Sequence, residues 1–216
     1  MATRLFLNEA AADIAPTSKG LWNQTGASLT KKMATTKAGV STNLSVTPLA
    51  ANSAEGYRFV SPPIYTPVTL TGTFTYVIFT AIEDDAAGAA TGFDLYGYMY
   101  VTQGESTTLV RGELYHTSSA STSLATSGMS FTAAGRAQSS ARTLTSVSIQ
   151  GGDRIVFEVG GFCIGSAGTM GIRRGGTDAT DLTAGNTTTT RPGWIEFSQT
   201  FSFDSVSGKR RAWILE

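Results

Sequence analysis

The sequence predicts an all-β fold, specifically a jelly-roll-like antiparallel β-sandwich with long loops and little helix. Apolar and polar residues alternate along residues 144–160 and again along residues 187–198, which is the pattern of strands. A Gly-Gly-Asp turn interrupts the first run, and Pro-Gly leads into the second. No apolar stripe with helical spacing continues for three turns, so we expect about eight to ten strands and almost no helix.

The N-terminal quarter of the chain contains shorter strand signals. We predict a strand at residues 3–7, a loop through residues 8–20, and a second strand region that runs from Trp22 to residue 36. Residues 41–56 are predicted to form an extended or irregular connection.

Residues 57–60 form the next predicted strand, and Pro62 and Pro63 end it. Because proline has no amide hydrogen to donate, this point must be a turn or a sheet edge.

The two clearest strands are predicted at residues 68–80 and 93–101, and an acidic loop rich in alanine and glycine joins them at residues 83–92. In the second strand, alternation assigns one face to the core. That face consists of Phe93, Leu95, Met99 and Val101. The opposite face carries Asp94 and three tyrosines, Tyr96, Tyr98 and Tyr100.

We call the surface formed by Tyr96, Tyr98 and Tyr100 the tyrosine face. Tyrosine is amphipathic and enriched where a protein meets another protein or a sugar, so this face is a candidate interface. The alternative is a tyrosine layer covered by a loop of the same subunit, and the sequence leaves both interpretations open.

Further strands are predicted at residues 109–116, 129–132, 144–149, 154–162 and 194–203. In the last of these, alternation places Trp194 and Glu196 on one face and Ile195 and Phe197 on the other. At least one of these faces must therefore belong to the core.

Composition favours one domain that assembles with other subunits. We assign residues 1–206 to a single β-sandwich domain and residues 207–216 to a C-terminal extension. Only 15% of the residues are charged, and serine and threonine make up about a quarter of the chain. The 16 basic and 16 acidic residues balance. A nucleic-acid-binding protein would carry a basic excess, and near-zero net charge removes the repulsion that keeps proteins monomeric.

The residue inventory argues against an enzyme and against a metal. His116 is the one histidine and Cys163 the one cysteine. A Ser-His-Asp or Cys-His site would have to use His116, which lies at a predicted strand end, and the chain has no Gly-X-Ser-X-Gly elbow, so we do not expect catalysis there. One histidine and one cysteine do not supply the three or four usual ligands of a zinc site. Cys163 is expected to be a buried, inert thiol. Four strand carboxylates would suit glycoside hydrolysis but are expected to face outward. They are Asp94, Glu113, Glu158 and Glu196.

Calcium is the one cofactor for which the loops offer ligands, at residues 83–85 and 177–182. Neither loop has EF-hand spacing, and we expect their aspartates to make turns with their own backbone amides instead. The glycine-rich residues 165–171, followed by Arg173 and Arg174, are predicted to form a surface loop rather than a phosphate site. The prediction is therefore no catalytic residue, no metal and no cofactor.

The start of the chain has no apolar signal segment, and no apolar run approaches the ~20 residues of a membrane span. We expect a protein that is made in the cytoplasm, without a signal peptide and without a membrane partner.

The C-terminal extension contains a basic triplet followed by an apolar cluster. A monomer would leave such a terminus frayed, so the cluster either folds back on its own domain or docks on a neighbour, and we expect docking. With the tyrosine face, these residues are the candidate interface. They are Lys209, Arg210, Arg211, Trp213, Ile214 and Leu215.

The sequence of residues 144–198 is more specific than a strand pattern. Leu-Thr-Ser-Val precedes Gly-Asp-Arg-Ile-Val, and an Ala-Thr-Asp-Leu loop and a threonine run precede Trp-Ile-Glu-Phe-Ser. This series resembles a β-sandwich family of structural proteins of tailed bacteriophages; the likeness is looser at the N-terminal strand. Where that family has an acidic Asp-Leu-Pro segment, this chain has Asp-Leu-Thr-Ala-Gly-Asn at residues 181–186, which argues against a metal there.

The resemblance implies a non-enzymatic structural protein located in the virion and made in the bacterial host cytoplasm. Together with the balanced charge and the candidate interface, it leads us to expect homo-oligomeric assembly on the particle, with its own copies and other virion proteins as partners, as a head decoration or as a tail or neck component. The alternative is a module of a tail fibre or baseplate that binds host-surface carbohydrate.

Overall fold

A computed structural model describes residues 2–19, 30–40, 42–49, 54–83, 93–116, 136–163, 168–188 and 190–203. Within these ranges the regular structure is all β, which confirms the predicted fold class. The described residues include no helix with the length and apolar character that a bilayer crossing requires.

Thirteen strands make up the described fold, more than the sequence predicts. They are β1 (Thr3–Ala11), β2 (Thr30–Ala34), β3 (Thr42–Leu49), β4 (Ala54–Val60), β5 (Val68–Leu70), β6 (Thr73–Glu83), β7 (Phe93–Thr102), β8 (Val110–His116), β9 (Arg136–Thr143), β10 (Val147–Ile149), β11 (Arg154–Cys163), β12 (Gly168–Arg174) and β13 (Trp194–Phe197).

Eleven strands form one large sheet, in the order β3-β12-β6-β13-β1-β2-β4-β11-β7-β8, with β9 also paired to β6. Strands β5 and β10 form a separate two-stranded sheet. The described pairs are antiparallel except for β2 and β4, which run parallel. The fold is therefore sandwich-like and mixed in one place rather than purely antiparallel.

The large sheet curls around a single core. The ring of Phe74 on β6 lies 6.4 Å from that of Phe157 on β11 and 5.3 Å from that of Tyr115 on β8. Because β6 and β8 lie far apart in the strand order, this contact requires the sheet to fold back on itself. Inward residues from both halves, including Leu5, Met99 and Phe197, are fully buried in the same cluster.

Strand β13 is largely buried on both faces, which confirms the prediction that at least one of its faces belongs to the core. Ile195 and Phe197 lie in the main core, fully buried. Trp194 points to the outer side and is covered there, in a second apolar cluster with Phe6, Val77 and Leu182.

Two segments predicted to be a connection or a surface loop contain strands. The expected connection at residues 41–56 contains β3, and the expected glycine-rich surface loop at residues 165–171 overlaps β12, which pairs with β3 and β6. The prediction of a loop at Arg173 and Arg174 was therefore wrong. Pro48 weakens the strand signal in β3, because proline is rare in strands. It is tolerated here because β3 lies at the end of the sheet.

The strand predicted at residues 68–80 is two strands in different sheets. Gly72 has a φ of 86°, a left-handed conformation that favours glycine, and it separates β5 from β6. The carbonyl of Gly72 accepts the amide of Leu144 at 2.8 Å, which ties this break to the chain before β10.

Several predictions lie outside the described residues. These concern Trp22, the strand at residues 129–132, most of the acidic loop at residues 83–92, and the whole extension at residues 207–216.

Truncating Phe197 to alanine should lower the free energy of unfolding by about 3–5 kcal/mol, because the ring is fully buried between Phe74 and Phe201. Urea denaturation of both proteins measures the difference. Leu109→Ala is the matched control, since Leu109 is 58% exposed and should change stability by less than about 0.5 kcal/mol. A Phe197→Ala variant that unfolds with the parent would contradict the burial of β13.

Candidate functional site

The outer side of the sheet carries a continuous row of polar residues. The register aligns Thr30 on β2, Arg58 on β4, Glu158 on β11, Tyr98 on β7 and His116 on β8. Five neighbouring strands therefore place a hydroxyl, a guanidinium, a carboxylate, a phenol and an imidazole side by side. This row includes one member of the tyrosine face and is the candidate functional site.

Glu158 is the centre of this row and is fully buried. Its carboxylate accepts hydrogen bonds from the hydroxyl of Ser18 at 3.0 Å, from the backbone amide of Lys19 at 2.9 Å, and from the phenol of Tyr100 at 3.3 Å. A buried carboxylate destabilises a fold unless donors of this kind satisfy it. The carboxylate therefore fixes the position of the segment that brings Ser18 and Lys19.

That segment, residues 12–19, is called the strap, and it lies across the outer face of β4, β11 and β7. Arg58 donates to the carbonyl of Pro16, and Tyr100 donates to the carbonyl of Thr17 at 2.9 Å. The amide of Thr17 in turn donates to the carbonyl of Thr107 at 2.7 Å. Buried side chains of the sheet thus hold the strap mainly through its main-chain atoms.

Apolar contacts and ion pairs fix the other end of the strap. Ala12 and Ile14 pack on the outward-facing Val60 and Val156. Asp13 reaches the buried guanidinium of Arg154 at 3.4 Å, and Lys32 lies 3.7 Å from the same carboxyl group. Lys32 is therefore an ion-pair partner at this end of the strap.

The structure corrects the prediction of an exposed interface at Tyr100. This residue is fully buried beneath the strap, as the alternative interpretation of the tyrosine face allows. Tyr98 is half-buried, and the side chain of Tyr96 lies outside the described residues. The tyrosine face is therefore covered at Tyr100 by the chain itself and partly accessible at Tyr98.

Burial, and next the negative charge of Glu158, raises the pKa of the Tyr100 phenol well above its usual range. Burial also raises the pKa of Tyr98, with a further contribution from its hydrogen bond to Glu113. Both phenols therefore stay protonated at neutral pH and act as donors.

The outer edge of the row is the most accessible part of the site. The imidazole of His116 lies 3.1 Å from the carboxylate of Glu113, and the Tyr98 ring lies 5.6 Å from the His116 ring. About half of the surface of each of the His116 and Glu113 side chains is exposed. This edge offers an aromatic ring, a carboxylate and an imidazole to solvent.

The Gly-Gly-Asp turn identified in the sequence precedes β11, the strand that carries Glu158, and holds its first residues in place. Asp153 is buried and accepts bonds from Arg111 at 2.8 Å, from the amide of Gly104 at 3.0 Å and from the amide of Gln150 at 2.9 Å. Burial by itself would raise the pKa of Asp153, but the bonds from Arg111 and the two amides outweigh it and hold the pKa below its usual value.

The remaining carboxylates named as hydrolase candidates lie apart from Glu158. Glu196, on β13, accepts Arg4 at 2.8 Å, and the guanidinium of Arg4 also stacks on Trp194 at 3.9 Å. The side chain of Asp94 is outside the described residues, as is that of Cys163. The structure thus places Glu113 beside the His116 end of the row that contains Glu158, and it places Glu196 on a different part of the outer side, at β13.

Among the described residues, no group of three or more histidine, cysteine, aspartate or glutamate side chains is arranged to hold a metal ion. In the candidate calcium loop, Asp178 accepts the amide of Thr180 at 2.8 Å, the self-bonded turn that the sequence predicts. That bond, with smaller contributions from Thr190 and Arg191, lowers the pKa of Asp178.

Sequence reasoning missed the hydrogen bonds by which Arg58 and Glu158 hold the strap. One signal was present: residues 155–160 are apolar on both faces of the strand except at Glu158, and residues 57–60 are apolar except at Arg58. A lone charge within a strand that is apolar on both sides indicates a buried, hydrogen-bonded charge rather than a solvated one.

Comparison of the chain with models of known protein families finds no family that matches, and comparison with curated proteins finds no significant relative.

Replacing Tyr100 by phenylalanine should lower the free energy of unfolding by about 1–3 kcal/mol at pH 7, because Glu158 and the carbonyl of Thr17 lose a buried donor. The folded-state pKa of this phenol is raised, so its contribution to stability is complete below the unfolded-state pKa of ~10 and is lost as the pH rises further. The difference between the two proteins should therefore shrink above pH ~10.

Chemical denaturation at neutral and alkaline pH measures this difference. Tyr65→Phe is the control, since Tyr65 is 54% exposed and the exchange should have little effect at either pH. A difference that is constant from neutral to alkaline pH would contradict the raised pKa and the buried contact with Glu158.

Proposed function

We propose that the chain is a non-enzymatic structural protein of a tailed-phage virion that assembles as a homo-oligomer, as a head decoration or as a tail or neck component. The resemblance of residues 144–198 to a family of phage structural proteins is the origin of this proposal. The balanced net charge and the low charged fraction support assembly over nucleic-acid binding.

The observation that carries the proposal is the use of Glu158. A catalytic carboxylate needs access to a substrate, whereas this one is fully buried and bonded to Ser18, Lys19 and Tyr100. Asp153 and Glu196 are likewise engaged by arginines. These charges fix loops on the outside of a β scaffold, which is the behaviour expected of a structural subunit.

Partners of the subunit are its own copies and other virion proteins, without nucleic acid and without a membrane. The protein is made in the host cytoplasm and resides in the particle. The partly accessible Tyr98 and the C-terminal residues 209–215 are the contact regions that we assign to these partners.

A carbohydrate-binding module of a tail fibre or baseplate is the second candidate. The observation that favours it is the accessible edge formed by Tyr98, Glu113 and His116, because an aromatic ring beside polar groups suits a sugar. Binding of the purified chain to host-surface polysaccharide that is lost in Tyr98→Ala, with no copy of the chain in the particle lattice, would favour this candidate instead.

The test is to determine whether the chain is built into the particle and by which contacts. Gold-labelled antibodies and an electron-microscopy map should place symmetric copies of the chain on the virion. A variant that lacks residues 207–216 should melt within about 2 °C of the full chain in isolation, less than the shift expected from a loss of 1 kcal/mol. The same variant should fail to oligomerise or to attach to the particle.

Particles without this chain would refute the virion role. A deletion that unfolds the isolated subunit, or one that still assembles normally, would refute the docking role of the C-terminal extension.

A further inference from the structure

The side chain of Lys37 ends within a cage of oxygen atoms. Its Nζ donates to three consecutive main-chain carbonyls, those of Asp178 at 2.7 Å, Ala179 at 2.9 Å and Thr180 at 3.0 Å. The Oδ1 atom of Asp181 lies 2.8 Å from the same nitrogen. An ammonium group has three hydrogens. Four oxygens at these distances therefore form a coordination shell around a charge, rather than a set of one-to-one hydrogen bonds.

The surroundings of the nitrogen favour a positive charge there. The Lys37 side chain is only 14% exposed, and the ring of Phe6 lies 5.4 Å from Nζ, within the range of a cation–π contact. Three carbonyl dipoles and a carboxylate point toward one small volume. Without a cation, these groups would repel one another and lose their partner.

Other contacts hold the Lys37 segment on one side and the Asp181 carboxylate on the other. Asn8, which is buried, bonds to residues on either side of Lys37: its amide donates to the carbonyl of Thr36 at 3.1 Å, and its oxygen accepts the amide of Ala38 at 3.3 Å. On the other side, the second oxygen of Asp181 accepts Arg4. Contacts other than those of the ammonium therefore help to position both the Lys37 segment and the Asp181 carboxylate.

The oxygen set is the one that hard cations use. Calcium sites combine carboxylates with backbone carbonyls of a short loop, and residues 178–181 present both kinds of ligand to one point. We propose that residues 178–181 form a cation-binding loop whose resident cation is the Lys37 ammonium. The loop binds a small exogenous cation, a primary alkylammonium or an inorganic ion, when that ammonium is removed.

The internal cation fixes a loop that covers the outer side of β13. The carbonyl of Leu182 accepts the indole nitrogen of Trp194 at 2.9 Å, and Leu182 itself is fully buried against Trp194. Lys37 therefore does for this loop what a bound calcium ion does in other β-sandwiches, without dependence on a metal supply.

Two variants test the proposal. Lys37→Ala removes the ammonium and leaves space for another cation, whereas Lys37→Met keeps the apolar stem and fills most of that space. We expect both to lower the melting temperature by about 4–10 °C. Melting is then measured at constant ionic strength while tetramethylammonium chloride, which has no N–H donor, is replaced by ethylammonium chloride or by calcium chloride.

In Lys37→Ala, ethylammonium or calcium should restore at least half of the lost melting temperature, and the effect should saturate with concentration. The melting temperatures of the wild-type chain and of Lys37→Met should not respond. Lys32→Ala is the matched control, because Lys32 faces a single carboxylate at 3.7 Å and its removal creates no cage. The double variant Lys37→Ala, Asp181→Asn should lose the rescue.

A Lys37→Ala variant that melts with the wild type, that shows no cation-specific recovery, or that recovers no more than Lys32→Ala overturns the proposal. If Lys37→Ala does not fold in tetramethylammonium, its refolding yield in the same salts becomes the measurement. Recovery confined to ethylammonium or calcium then supports the cage, and equal yields in all salts overturn it.

Discussion

The constraint on which the structure depends is that strand β11 is buried on both faces. Ile155, Phe157 and Val159 face the core, while Val156 and Glu158 face outward, and all five are almost completely excluded from solvent. A strand with two buried faces needs a second layer, and the strap provides it. Glu158 makes that layer specific, because only donors at defined positions satisfy a buried carboxylate.

A similar arrangement recurs on another part of the outer side of the sheet, at β13 and β1. There, Trp194 and Phe6 face outward from β13 and β1, and Leu182 covers them. Arg4 and Lys37 tie the covering loop down through Asp181. A chain with few charged residues thus uses several of them at positions where a loop must be fixed to a sheet. Charge here specifies which loop covers which surface, and apolar burial contributes most of the stability.

Periodicity in the sequence predicted the fold class and the strongest strands, because alternation reports directly which residues face the core. Strands β7, β11 and β13 follow from it, as does the burial of Phe197. Strands β3, β9 and β12 were missed, since their alternation is short or absent and is interrupted by proline, glycine or polar residues. Their formation depends on pairing with β6 and with each other.

The candidate site was less predictable than the fold. The tyrosine face was found from alternation alone, but its cover at Tyr100 comes from residues more than eighty positions away along the chain, and no local pattern encodes that contact. Similarly, the loop at residues 177–182 was identified as a source of cation ligands, yet the cation that it holds belongs to a lysine on a distant segment.

Residue-resolved hydrogen exchange of the strap amides tests the central claim, which is that the outer face of β11 is sealed by residues 12–19 through the carboxylate of Glu158. In the wild-type chain, the amides of Thr17 and Lys19 should exchange nearly as slowly as those of the core strands, because each donates to a defined acceptor. Glu158→Gln should speed exchange at both amides while Phe157 stays protected, and Glu105→Gln, an exposed control, should change neither. Two results would contradict this role of Glu158: strap amides that exchange in the wild-type chain as fast as those of an unfolded chain, or exchange rates that Glu158→Gln does not change.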